Sequence, residues 1–174
     1  MERCPARDVR GSVRHRPLRS EDRPPRRTRK MDEGSSTINL AKGINMFSGF
    51  EHTAIAAHDS KRLGDWYIRM FGLQVVHDNG KTPPTYLLRA PDGTVIEILP
   101  AAAGERANYT QTDAGLRHLA LTVTDFDAAL SYLCGQGIDQ FFDLRQSEQS
   151  KLIFFRDPEG NILHLMWRAK PLGS

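Results

Sequence analysis

Long apolar runs are missing from this chain. No stretch of 18 consecutive apolar residues occurs, which excludes an α-helical membrane span. Cysteine is nearly absent: Cys4 and Cys134 are the only two in 174 residues. Two cysteines cannot staple a disulfide scaffold, so a small secreted disulfide-rich fold is excluded and a reducing, cytoplasmic setting is expected. A secretory signal is not expected, because no apolar segment follows the arginines near the start.

Basic excess exists only at one end. Residues 1–30 hold eleven Lys/Arg against four Asp/Glu, whereas residues 31–174 hold thirteen against seventeen. The overall net charge of +3 therefore belongs to the N-terminal segment, and it is no argument for nucleic-acid binding by the remainder. Residues 1–48 read as a disordered basic extension and lead-in, rich in Arg and Pro and poor in large apolar residues. A nucleic-acid-binding arm is the lesser reading of that segment. The preferred one is an extension without function, with the start of the protein at Met31 or Met46.

From about residue 49 the chain repeats itself. Phe50-Glu51-His52-Thr53-Ala54-Ile55 aligns with Leu116-Arg117-His118-Leu119-Ala120-Leu121 at an offset of 66. Leu88-Arg89-Ala90-Pro91-Asp92-Gly93 aligns with Phe155-Arg156-Asp157-Pro158-Glu159-Gly160 at an offset of 67. Two copies, over 49–102 and 115–169, are too few for a solenoid and describe a duplicated unit. In each copy an alternating strand (50–57, 116–124) is followed by a helix opened by Asp59 or Ser60, or by Asp125. The first helix carries Leu63, Trp66, Tyr67, Met70 and Phe71 at core spacing and stops at Gly72; the second stops at Gly135–Gly137. Three strands complete each copy: 73–77, 85–89 and 94–99 in the first, 140–144, 151–156 and 162–168 in the second. Pro91-Asp92-Gly93 and Pro158-Glu159-Gly160 supply the hairpin turns. The expected class is α+β: two βαβββ units forming a cupped mixed sheet with helices on its outer face, over residues 49–170.

Alternation across a strand fixes the faces. His52 and His118 share a face with the small residues Ala54, Ala56, Ala120 and Thr122; Ile55, Leu119, Leu121 and Val123 point toward the helices. Glu97 and His164 occupy the matching slots in the last strands. Three imidazoles and one carboxylate on four equivalent inward positions suit one divalent metal ion such as Zn, Ni, Fe, Mn or Co, with the four converging in the cup. A bland reading, hydrogen-bonded structural histidines, must then account for a buried Glu97 at heavy desolvation cost.

With paired βαβββ units and the Asp157-Pro158-Glu159-Gly160-Asn161 hairpin in place, the chain resembles the vicinal oxygen chelate superfamily, the glyoxalase, bleomycin-resistance and extradiol dioxygenase fold, over residues 49–169. The resemblance maps metal ligands onto His52, Glu97, His118 and His164. Glyoxalase I has glutamate where this chain has His164, which leaves Glu97 as the catalytic base. Ala56 and Ala101 stand where relatives grip glutathione, so a glutathione substrate loses its anchors. The resemblance implies a metal-dependent lyase or isomerase that chelates a small-molecule substrate through two adjacent oxygens and stabilises an enediolate. An extradiol-type iron dioxygenase and a non-catalytic drug- or metabolite-binding protein are the alternatives. Relatives pair as homodimers, and a homodimer is expected here.

Overall fold

The computed structural model describes residues 48–104 and 109–172. The proposed 1–48 extension falls, but for Ser48, outside the described residues. From Glu51 onward the described residues belong to one compact unit.

The duplicated unit is present. Its first copy runs β1 (Thr53–Ala57), α1 (Ser60–Phe71), β2 (Gln74–Asp78), β3 (Tyr86–Arg89) and β4 (Val95–Pro100). Its second runs β5 (His118–Thr122), α2 (Phe126–Gly135), β6 (Phe142–Gln146), β7 (Ser150–Arg156) and β8 (Ile162–Arg168). Each forms a four-stranded sheet of identical topology, β1-β4-β3-β2 and β5-β8-β7-β6. The β1–β4 and β5–β8 pairs are parallel and the other pairings are antiparallel.

Local chemistry explains the helix limits. The Asp59 carboxylate accepts from the Arg62 N–H at 2.9 Å and opens α1; Gly72, at φ 66°, closes it with its N–H on the Ile68 carbonyl. Asp125 does the same for α2 by accepting from the Ala128 N–H. The two hairpins are built alike: Gly93 donates to Ala90 and Ala90 to Thr94, while Gly160 donates to Asp157 and Asp157 to Asn161. Gly93 and Gly160 both have positive φ, 91° and 79°, which glycine adopts without strain.

Strand limits differ from the sequence reading by one to three residues. β1 begins at Thr53 rather than Phe50, and its first pairing on β4 is with Ile96. β5 likewise begins at His118. Leu73 packs into the core instead of opening β2, and bulges displace β2 and β6, the latter at Asp143 with φ 52°.

The core lies between sheets and helices. Ile55, Ile96, Ile98, Leu88, Leu163, Leu165 and Phe155 meet Leu63, Tyr67 and Met70 of α1 and Phe126 and Leu133 of α2. The opposite face of β1 and β5 is exposed at Ala54, Ala56, Ala120 and Thr122, as alternation required. Among the described residues no helix is long and apolar enough to cross a membrane.

Candidate metal centre

The registers of the two parallel pairs are the same. Ala54 lies opposite Glu97 on β4, and Ala120 lies opposite His164 on β8. His52 and His118, each two residues earlier, therefore stand on the same face as Glu97 and His164. The matched slots inferred from the repeat are matched in space.

In the first copy His52 and Glu97 come together, with Nε2 3.5 Å from the Glu97 carboxylate. The other ring nitrogen, Nδ1, is held by the Glu51 carboxylate. That hydrogen bond outweighs the opposing effect of desolvation and, with the lesser help of the charges of Glu51 and Glu97, holds the His52 pKa above its ordinary value. A histidine oriented through one nitrogen by a carboxylate, with the other aimed at a second donor, has the arrangement of a metal ligand and its support. Sequence reading missed Glu51; its place beside His52 was the available signal. Glu97 is 26% exposed at its side chain, so the argument from a buried carboxylate loses force.

In the second copy His118 and His164 lie with ring centroids 4.8 Å apart. His164 is 5% exposed, and neither of its nitrogens has a hydrogen-bond partner. Burial, then the neighbouring His118 and Arg168, pushes its pKa down to about 4, so the ring is neutral at physiological pH and offers a lone pair.

Phe154 on β7, paired with His164, packs on both rings at 4.9 and 5.5 Å, and Phe142 of β6 stacks on Phe154 at 5.6 Å. This half of the cup is aromatic, where small neighbours had been expected throughout. The pairing of β7 with β8 puts Phe154 there, and that partner choice is invisible in a strand read alone.

The two pairs remain separate. No group of three or more His, Cys, Asp or Glu close enough to hold a metal occurs among the described residues. Each pair fits a divalent ion in donor chemistry: imidazole with carboxylate in one, and two imidazoles, one with orphaned buried nitrogens, in the other. His58 binds Glu159, and His77 lies on the exposed strand β2.

Comparison with known families now applies. The sequence pattern of the glyoxalase/bleomycin resistance protein/dioxygenase superfamily matches residues 49–165. The chain belongs to this superfamily. A glyoxalase family protein from Enterococcus faecalis is similar at 27% identity and TM-score 0.57, over 69% of this chain and 98% of that one. The superfamily fold is shared with the fosfomycin resistance protein FosX of Listeria monocytogenes, solved with Mn(II) and sulfate, at 18% identity and TM-score 0.55, over 73% and 94% of the two chains. TnmS3, an antibiotic binding protein from a Streptomyces species, has it at 17% identity and TM-score 0.54, over 71% and 98%. A search of curated proteins finds no match.

Proposed function

We propose that this superfamily member is a metal-dependent, glyoxalase-like lyase or isomerase that acts on a small substrate with two adjacent oxygens. The observation that carries the reading is the equivalent placement of His52–Glu97 and His118–His164 on the inner face, with both His164 nitrogens buried and unpartnered. FosX, of the same fold, was solved with Mn(II).

In this reading His52, Glu97, His118 and His164 hold one divalent ion. Held by these residues, such an ion would supply Lewis acidity for carbonyl and enediolate chemistry. Glu97, the one carboxylate among the four, takes the proton from the carbon beside the substrate carbonyl and returns it to the neighbouring position. Glu51 keeps His52 oriented through Nδ1. His164 stays neutral through its low pKa and so remains a donor nitrogen. Phe154 and Phe142 exclude water from that side of the cup. A full set of four donors requires the two pairs to meet, within one chain or between the two copies of a homodimer.

A second reading, a non-catalytic binder of an aromatic metabolite or drug, is favoured by the stacked Phe142–Phe154 wall.

Elemental analysis of protein purified without added metal tests the proposal, with wild type beside His118→Ala and His164→Glu. About one Zn, Ni, Mn or Co per chain, lost in His118→Ala, is the expected result, and it directs assays to carbonyl and enediolate chemistry. Iron together with dioxygen uptake would replace this reading by the extradiol dioxygenase. No metal after reconstitution would overturn the site and leave the binding protein.

A further inference from the structure

Arg117 directly precedes His118 and lines a cleft of about 180 Å³ between the edge strands β1 and β5, together with Ala54, Ala56, Tyr109 and Gly160. Its guanidinium carbon stands 4.3 Å over the centre of the Tyr109 ring, and its Nε donates to the Gly115 carbonyl at 3.1 Å. Nη1 is buried and has no acceptor. Guanidinium stays charged at all accessible pH, and a buried N–H without an acceptor leaves its desolvation cost uncompensated.

Nothing among the described residues supplies the missing acceptor. Among the described residues no carboxylate forms an ion pair with Arg117. The Thr110 donors hold the Asp113 pKa below its ordinary value, and the Arg117 charge is close enough to add a lesser effect. The Asp113 carboxylate nevertheless accepts from the Thr110 backbone N–H at 2.7 Å and forms no ion pair with the guanidinium. The second arginine nearby, Arg156, is committed: it donates to the carbonyls of Gly160 and Tyr109 and so braces the wall against which Arg117 stacks. One cation is spent on structure and the other is presented in a cleft beside a proposed metal ligand.

We infer that Arg117 reads the oxyanion of the substrate, which is a small anion bearing a carboxylate or phosphonate group next to its vicinal oxygens. The inference rests on the proposed function for its mention of a substrate; the anion site itself stands on Arg117. Arginine binds either oxyanion through two parallel N–H donors, and stacking on Tyr109 fixes the plane from which they project.

The test uses the full chain stripped of metal by chelation, with methylphosphonate and acetate as separate probes. The readout is the Nε–Hε resonance of Arg117 by NMR, identified by its loss in Arg117→Gln, together with affinity by calorimetry. Saturable binding of at least one probe is expected, about tenfold or more weaker in Arg117→Gln, partly restored in Arg117→Lys and unchanged in Arg62→Gln on the exposed side of α1. The tighter-binding probe identifies the oxyanion as tetrahedral or planar. Equal binding by wild type and Arg117→Gln, or no saturable binding of either probe, overturns the inference. Metal content measured on the same preparations before chelation, and again after reconstitution, separates the two claims: wild type that binds the probe but never metal removes the proposed enzyme and keeps the anion site, while metal binding without probe binding does the reverse.

Discussion

His118 and His164 lie 4.8 Å apart between ring centroids across the parallel pair β5–β8, and both nitrogens of the more buried ring, His164, lack partners. A polar ring buried without hydrogen bonds is retained at a cost to stability. His164→Phe should therefore stabilise the metal-free protein, by about 1–2 kcal/mol, since Phe154 and His118 already offer aromatic neighbours. The same variant should lose bound metal. Urea unfolding after chelation checks the first outcome and elemental analysis the second; a destabilised His164→Phe would mean that the ring has polar partners in solution.

Tyr67 of α1 donates from its hydroxyl to Asp157 of the second copy at 3.1 Å, and both are almost fully buried. The Asp157 carboxyl also accepts from Asn161 Nδ2 and from the Glu159 and Asn161 backbone N–H groups, yet burial outweighs these donors and raises its pKa. Removing one donor from so buried a carboxyl should cost about 1–2 kcal/mol. Tyr67→Phe is expected to lower the urea midpoint with the slope unchanged, and an unaltered midpoint would show that this link between the copies carries no stability.

Glu159 makes the second link. Its carboxylate accepts from the His58 ring at 3.0 Å, from the His58 backbone N–H and from the Asp59 backbone N–H. Burial alone would raise the Glu159 pKa; the His58 ring and the two backbone donors outweigh it and hold it below its ordinary 4.5. A depressed carboxyl contributes stability that is present above the unfolded-state value and lost as pH falls through the folded one. Glu159→Gln should therefore be less stable than wild type at pH 7, by about 0.5–1 kcal/mol, and the gap should close as pH drops below the ordinary glutamate value. Thermal melts across that range measure it, and a gap independent of pH would assign the effect to packing.

Gly64 sits on the inner side of α1, where an added Cβ would stand 2.5 Å from Cδ2 of Tyr86. Alanine normally favours a helix interior over glycine by about 1 kcal/mol. Here the clash with a buried ring should reverse the sign, and Gly64→Ala should destabilise by about 1–3 kcal/mol. A Gly64→Ala protein that melts higher than wild type would show that β3 can move away from α1 at little cost.

Much of this protein was legible before any coordinates. The repeat fixed the order of elements, because offsets of 66 and 67 preserve both the alternation of the strands and the capping residues Asp59, Asp125 and Gly72. Alternation also named the face: once Ile55 and Leu119 were assigned to the helices, His52 and His118 had to lie on the other side. These features depend on neighbours a few residues apart, and local physics determines them.

Tertiary structure decided what lies between elements. Phe154 fills the second half of the cup because β7 pairs with β8 in the register that sets it against His164. Arg117 became part of a cleft, without an ion-pair partner among the described residues, only once β1 and β5 faced each other. Tyr67–Asp157 and His58–Glu159 join residues 90 and 101 positions apart. The sequence assigned equivalent positions to four donors, whereas the structure groups them as two pairs. Equivalence under a repeat is a property of each unit alone; the distance between units is set by how their surfaces pack, and no local pattern encodes it.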